Sequence, residues 1–241
     1  MTALTFGLSV LTLGALDPSS GGISPDAAHW SYAEQNHWEG ECLVGQAQSP
    51  VRLLSGVAVD LPDLGLDVGP TAGGFVNNGH TLQFTPESEN DTMIGSDVYG
   101  MAQFHFHAPS EHSLDGKGYP VEIHFVNRDV SGALAVVGVF LTEGSTNPTL
   151  AAQLAALPDQ VGDGGMTHPT VNLALLLPED RHYFAYAGSL TTPPCTEGVR
   201  WNVLSTPIEA SEEQIAALAA ALGVSNRALQ EGNARAVSFG E

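Results

Sequence analysis

Residues 103–107 read Gln-Phe-His-Phe-His, and that alternation constrains the backbone more than any other stretch of the chain. In a β-strand, successive side chains point to opposite faces. Gln103, His105 and His107 then share one face, and Phe104 and Phe106 share the other. The apolar face anchors the strand while the opposite face presents two imidazoles. A second run, "VEIHFVN" at 121–127, repeats the pattern. Glu122, His124 and Val126 fall on one face, and Val121, Ile123 and Phe125 on the other. Residues 108–120, with Gly116, Gly118 and Pro120, separate the runs and let the two strands pair antiparallel. His105, His107 and His124 can then converge on one point.

The remaining pattern fits strands of the same sheet. "VRLL" (51–54), "TLQFT" (81–85) and "VRWNVL" (199–204) are short β-rich runs bounded by Gly, Asn, Asp and Pro. "ALAVVGVFL" (133–141) is apolar throughout, as a central strand buried on both faces would be. Helices are few. At 211–223, Ser211 and Gln214 form a capping-box pattern, and Ile215, Leu218 and Leu222 make one apolar face. At 147–157, Asn147 caps and Pro148 occupies the first helical position. The expected fold is mainly β (α+β): a single domain with a twisted, mostly antiparallel central sheet and peripheral short helices. Residues 1–28 read as a lead-in, either the remnant of a secretion signal or a flexible arm, ahead of a domain spanning 29–241.

Three neutral imidazoles suit Zn²⁺ with a fourth position open. Neutral ligands leave the full charge on the metal, which acidifies bound water and yields a nucleophile at neutral pH. Gln103 and Glu122 lie on the same strand faces as His105 and His124, placed to fix the tautomers of those rings. A rival pattern exists: His105-x-His107-xxx-Glu111-x₆-Gly118 also fits the metal motif of the cupins, with Glu111 as a ligand. That motif needs glycine where Tyr99 stands, and its second half is absent.

Charge removes some partners. With 27 Asp and Glu against 7 Lys and Arg, the net charge is −20, and Lys117 is the only lysine. Such a chain repels nucleic acid and anionic membrane, both of which need a basic footprint. No stretch of eighteen apolar residues predicts a membrane span. Cys42 and Cys195 are too far apart for a Cys-x-x-Cys motif; they are either two buried thiols or one bridge closing a long loop.

Five segments in order, "HWSYAE" (29–34), "GQAQSPV" (45–51), "FVNNGH" (75–80), "QFHFHAPSEH…YPVEIHFVN" (103–127) and "YAGSLTTPPCTEGVRW" (186–201), resemble the α-class carbonic anhydrases, bacterial branch. The likeness runs from about residue 29 to about residue 235. It implies about ten strands, a conical cleft, and reversible hydration of carbon dioxide to bicarbonate and a proton. That family is itself the standard case of a zinc-bound water acidified to a pKa of about 7. By resemblance, His105, His107 and His124 hold zinc. Thr191 takes the hydrogen bond of the zinc-bound hydroxide and donates to Glu111, and His80 is the proton shuttle. Val126, Val136, Leu190, Val199 and Trp201 wall the carbon dioxide pocket, with Thr192 beside them. Tyr32, Asn78 and Gln83 join Thr192 in ordering the water chain. Asn233 is the residue whose backbone carbonyl would hold a ligand histidine, although Ala236 stands where proline is usual and Ala187 where asparagine is.

The same resemblance implies a Cys42–Cys195 disulfide and cis bonds at Ser49–Pro50 and Pro193–Pro194. A disulfide places the protein in the periplasm or outside the cell, and two free thiols would place it in the cytoplasm. Sulfonamide and anion inhibitors, a side esterase activity, and a monomer or homodimer are the further expectations.

Overall fold

The computed structural model describes residues 30–157, 161 and 170–240. The expected lead-in, 1–28, therefore lies outside the described residues. One compact unit runs from Ser31 onward.

The His-x-His run forms as the alternation predicts, inside an eleven-residue strand. In chain order the strands are β1 (Arg52–Leu53), β2 (Leu64–Asp67), β3 (Pro70–Asn77), β4 (Leu82–Pro86), β5 (Asp91–Ile94), β6 (Asp97–His107) and β7 (Ser113–Leu114). They continue with β8 (Val121–Arg128), β9 (Leu134–Glu143), β10 (Thr170–Asn172), β11 (Tyr183–Ser189), β12 (Glu197–Leu204), β13 (Ile208–Ala210) and β14 (Ser238–Gly240). The helices are α1 (Glu41–Val44), α2 (Pro148–Leu154) and α3 (Glu212–Leu222), with 3₁₀ turns at Tyr32–His37 and Leu173–Leu176.

Among the described residues, twelve strands make one sheet, against about ten expected. Its path is β10-β3-β4-β6-β8-β9-β12-β11-β14; β5 extends β6 and carries β2, and β13 adjoins β9. A separate parallel pair, β1 and β7, lies apart from it. The excess over the expected number comes from three- and four-residue strands such as β2, β5, β10 and β14, too short to show a period. The sheet is mostly antiparallel. The exceptions are at β9, which pairs antiparallel with β8 but parallel with β12 and β13. Parallel neighbours need a long crossover, and here the chain between β9 and β12 supplies it. As its unbroken apolar run predicts, β9 is buried from Ala135 to Leu141.

The strands β6, β8 and β9 separate two cores. One face carries Phe104, Phe106, Ile123, Phe125, Val137 and Val139, packed with Phe75, Phe84 and Leu150. The other carries Val126, Val136, Phe140, Val199, Trp201 and Val203. The helices seal the first face: Leu218 of α3 is buried there, with Ile215 and Leu222 packed against it. Both expected caps form. The Ser211 hydroxyl accepts from Gln214 N, and the Gln214 side chain accepts from Ser211 N, as a capping box. Asn147 Oδ1 accepts from the amides of Thr149 and Leu150. The helix α2 ends three residues before the expected 157, because the amides of Ala156 and Leu157 turn back to Gln153 and Leu154 in a tighter 3₁₀ turn.

Candidate metal centre

The register of β6 against β8 sets His105 opposite His124. The His105 and His107 rings follow on one strand face, 4.9 Å apart, and the His124 ring lies 4.5 Å from His107 and 5.4 Å from His105. One ring nitrogen from each of the three lies within 4.8 Å of the others. The remaining nitrogens are all engaged. His105 Nδ1 is 2.8 Å from Gln103 Oε1, His107 Nδ1 is 2.6 Å from the Ser225 carbonyl, and His124 Nε2 is 2.8 Å from Glu122 Oε1. Each acceptor holds a proton on the nitrogen facing it, which leaves a lone pair on the nitrogen facing the others.

This arrangement fits a divalent ion. His107 Nε2 is buried and has no hydrogen-bond partner, a costly state for an imidazole nitrogen that a metal would relieve. Burial, and then the neighbouring His107 and His124, hold His105 well below its ordinary pKa, and burial lowers His107. Neutral imidazole is the ligating form.

Glu122 is fully buried and fully engaged. Its Oε1 also faces His112 Nδ1 at 2.7 Å, and its Oε2 accepts from the amides of Glu111 and His112 at 2.9 Å each. Burial alone would raise this carboxyl; the His112 and His124 rings reverse that and hold it well below the usual carboxylate range. Gly138, opposite His124 in register, makes the room: a Cβ there would come within 3.2 Å of Glu122 Oε1.

The structure corrects one assignment. Asn233 lies in an exposed turn, where its amide donates to the Gln46 carbonyl. The carbonyl at His107 belongs to Ser225, eight residues earlier. "SNRALQ" (225–230), not "NARAVS" (233–238), is the segment that closes on the site. Ser225 Oγ accepts from Ala108 N, and Arg227 N donates to Glu111 Oε1 at 2.8 Å. The buried Arg227 guanidinium donates to Gln48 Oε1 and to the carbonyls of Ser49 and Cys42. The expected hydrogen bond from Thr191 to Glu111 is not formed either. Thr191 is buried, but Glu111 Oε2 has no hydrogen-bond partner among the described residues and lies 3.8 Å from His124 Nδ1. Glu111 Oε1 accepts from Arg227 N, and its carboxylate stands 3.6 Å from His107 Nδ1 and 3.8 Å from His124 Nδ1, but the ligand atoms that converge are those of His105, His107 and His124 without it, unlike the four-ligand set of the cupin pattern.

The other expected residues fall as follows. Val126, Val136 and Trp201 lie side by side in register on β8, β9 and β12, all buried, with Val199 buried and Leu190 packed against them. The Trp201 ring is 4.8 Å from His124, so this apolar wall adjoins the imidazoles. Gln83 pairs opposite His105 on β4. Tyr32 is buried edge-on to His107, and burial, then Glu111, raise its phenol above the ordinary range. Asn78 spends its carbonyl oxygen on the amides of His80 and Thr81, fixing the β3–β4 turn that carries a half-buried His80. Thr192 is half-buried, and its carbonyl accepts from Cys195 N. Cys42 and Cys195 are bonded, closing 153 residues of chain, and Ser49–Pro50 and Pro193–Pro194 are cis.

Sequence reasoning missed Ser225, Arg227, Tyr186, Ser49 and His112. Only His112 carried a signal, as the third histidine of the ten-residue run that begins at Gln103. It lies beyond the end of β6, where strand parity no longer says where a side chain points.

The profile of eukaryotic-type carbonic anhydrase matches residues 27–238. A carbonic anhydrase of Pectobacterium atrosepticum is 36% identical over 222 residues, covering 88% of this chain and 91% of the relative. One from Nostoc is 36% identical over 247 residues, covering 96% and 93%. The solved α-carbonic anhydrase of Thermovibrio ammonificans, in complex with the inhibitor sulfanilamide, superposes with a TM-score of 0.83 at 38% identity, over 87% of this chain and 98% of the other.

Proposed function

The chain belongs to the eukaryotic-type carbonic anhydrases and is an enzyme of that class, and on this premise we propose that it hydrates carbon dioxide reversibly to bicarbonate and a proton with one zinc ion held by His105, His107 and His124. The observation that carries the reading is the set of ring nitrogens: three committed to Gln103, Ser225 and Glu122, and three turned toward one another, one of them buried without a partner. Bound there, zinc supplies a Lewis acid with three neutral ligands, which makes a nucleophile of water near neutral pH.

The chain's own residues then do the positioning. Thr191 orients the attacking oxygen. Arg227 N holds one carboxylate oxygen of Glu111 beside the imidazoles. Val126, Val136, Leu190, Val199 and Trp201 offer carbon dioxide a dry wall. Tyr32, Asn78, Gln83 and Thr192 order the waters that lead outward, and His80 carries the proton to buffer. Anions and sulfonamides compete at the open position, and activated esters are hydrolysed slowly there. The Cys42–Cys195 disulfide supports a periplasmic or extracellular setting, since such bonds persist in oxidising compartments. Among the described residues, no helix is long and apolar enough to cross a membrane.

Metal analysis with a carbon dioxide hydration assay tests this. One zinc per chain and fast hydration are expected, both lost in His105→Ala. Stoichiometric zinc in that variant would remove His105 as a ligand, and zinc without hydration in the wild type would make the protein a silent member of the family. For His80→Ala, slower turnover in dilute buffer, restored by imidazole, is expected. An unchanged rate in dilute buffer would remove His80 as the shuttle.

A further inference from the structure

The metal centre engages two of the chain's carboxylates, and the rest raise a separate question. Asp and Glu number 27 against 7 Lys and Arg, a net charge of −20. Among the described residues, Glu111 and Glu122 are the only buried ones; the others lie exposed or half-buried at the surface. Few cations face them. The Arg227 guanidinium is buried and engaged by Gln48 and by the carbonyls of Ser49 and Cys42. Arg235 donates to the carbonyls of Ala187, Gln48, Gly232 and Glu231. Arg200 pairs with Asp97 at 3.1 Å. Only Arg52, Lys117 and Arg128 are exposed, and Lys117 lies over the Tyr119 ring.

The imbalance is sharpest where β2 joins the sheet through β5. Their register sets Asp67 directly opposite Asp91. Like charges facing each other across an antiparallel pair repel and cost stability. Asp63 precedes β2, Glu87 and Glu89 precede β5, and Asp97 opens β6 on the other side of β5. We propose that this fold is matched to a salt-rich medium: mobile cations, held at no fixed place, screen the surface carboxylates, and the domain gains stability as ionic strength rises.

A surplus of charge of one sign keeps a protein soluble but works against its compact state, because unfolding spreads the charges apart. The Debye length decides how much of that repulsion survives. At about 0.01 M salt it is about 30 Å, so carboxylates across the domain act on one another. At about 1 M it is about 3 Å, shorter than the roughly 5 Å between facing Cβ atoms of a strand pair. Glu111 and Glu122 do not share in this, since burial keeps solvent ions away from them. The Cys42–Cys195 disulfide supports a setting outside the cytoplasm, where the ionic strength is that of the medium.

Melting temperatures of the purified protein at neutral pH test this, in sodium chloride and in sodium sulfate from about 0.01 to about 1 M ionic strength. A rise of about 5–10 °C is expected, most of it below about 0.3 M and nearly equal in the two salts at equal ionic strength. Asp67→Asn is expected to raise the melting temperature by about 1–3 °C at the lowest salt and to leave it unchanged at the highest. Asp91→Asn should do the same, and the double variant should gain less than the two gains added, because either change relieves the same pair. Asp97→Asn, which removes a carboxylate that has Arg200 for a partner, should gain less than Asp67→Asn. A melting temperature that stays flat or falls up to about 0.3 M overturns the proposal. So does a rise that appears only above that range and is steeper in sulfate, which is the effect of excluded salts on apolar burial in any protein. A gain in Asp67→Asn that persists undiminished at the highest salt overturns it too, since the gain would then have a cause other than charge.

Discussion

The two faces of β6 and β8 are built from interleaved residues of the same strands, yet they hold together by opposite means. On one face Phe104 touches Phe84, Phe106 and Phe125, with ring centroids 5.0–5.8 Å apart. Any of these rings has several neighbours, and dispersion over many atoms is forgiving of small shifts. On the other face each of the three rings has one assigned acceptor: Gln103 for His105, the Ser225 carbonyl for His107, Glu122 for His124. The first face supplies stability through volume and apolar area. The second spends buried polar groups on geometry, tolerated because nearly all are satisfied. A strand can carry both because its period of two keeps them from mixing.

Adjacent residues put this contrast to the test. Phe104→Ala, deep in the apolar face, is expected to cost about 3–5 kcal/mol in chemical denaturation, while the folded fraction still binds one zinc. Loss of zinc from the folded protein would show that the two faces are not separable. Gln103→Ala, one residue away, is expected to do the reverse. Zinc affinity falls about tenfold because the His105 ring loses its orienting partner, and stability falls by only about 1 kcal/mol. A wild-type affinity in this variant would mean that the ring is held by packing alone.

Asp180 provides the small effect against which both are read. Its carboxyl is held down to about 2, first by the His182 side chain, then by His182 N and Thr206. A depressed carboxylate stabilises above its unfolded value of 3.8, and that contribution disappears as pH falls through about 2. The site is about half exposed, so Asp180→Asn is expected to cost only a few tenths of a kcal/mol at neutral pH. The wild-type and variant melting temperatures should converge near pH 2. A difference that persists there would place the effect outside this carboxylate.

Much of this was legible in the sequence because it is local. The alternation in 103–107 and 121–127 sets two faces whatever lies around them, and it brings three imidazoles together once those strands pair. Ser211 with Gln214, and Asn147 with Pro148, mark helix starts because a cap bonds within its own turn. The Cys42–Cys195 bond and the apolar wall from Val126 to Trp201 were reached through resemblance, since neither could follow from spacing.

What only the tertiary structure decided depends on where distant chain passes. Every residue offers a backbone carbonyl, so no side chain marks Ser225 rather than Asn233 as the one at His107; the path after α3 selects it. The parallel pairing of β9 with β12 rests on a crossover more than fifty residues long, invisible to any local period. His112 became intelligible only when Glu122 and Tyr186, the latter hydrogen-bonded to Ser49, arrived from other segments to face its two ring nitrogens at 2.7 and 2.6 Å. Side-chain periodicity is written in neighbouring residues. The partner of a buried polar group is set by the packing of the whole fold, because only a closed interior makes that partner obligatory.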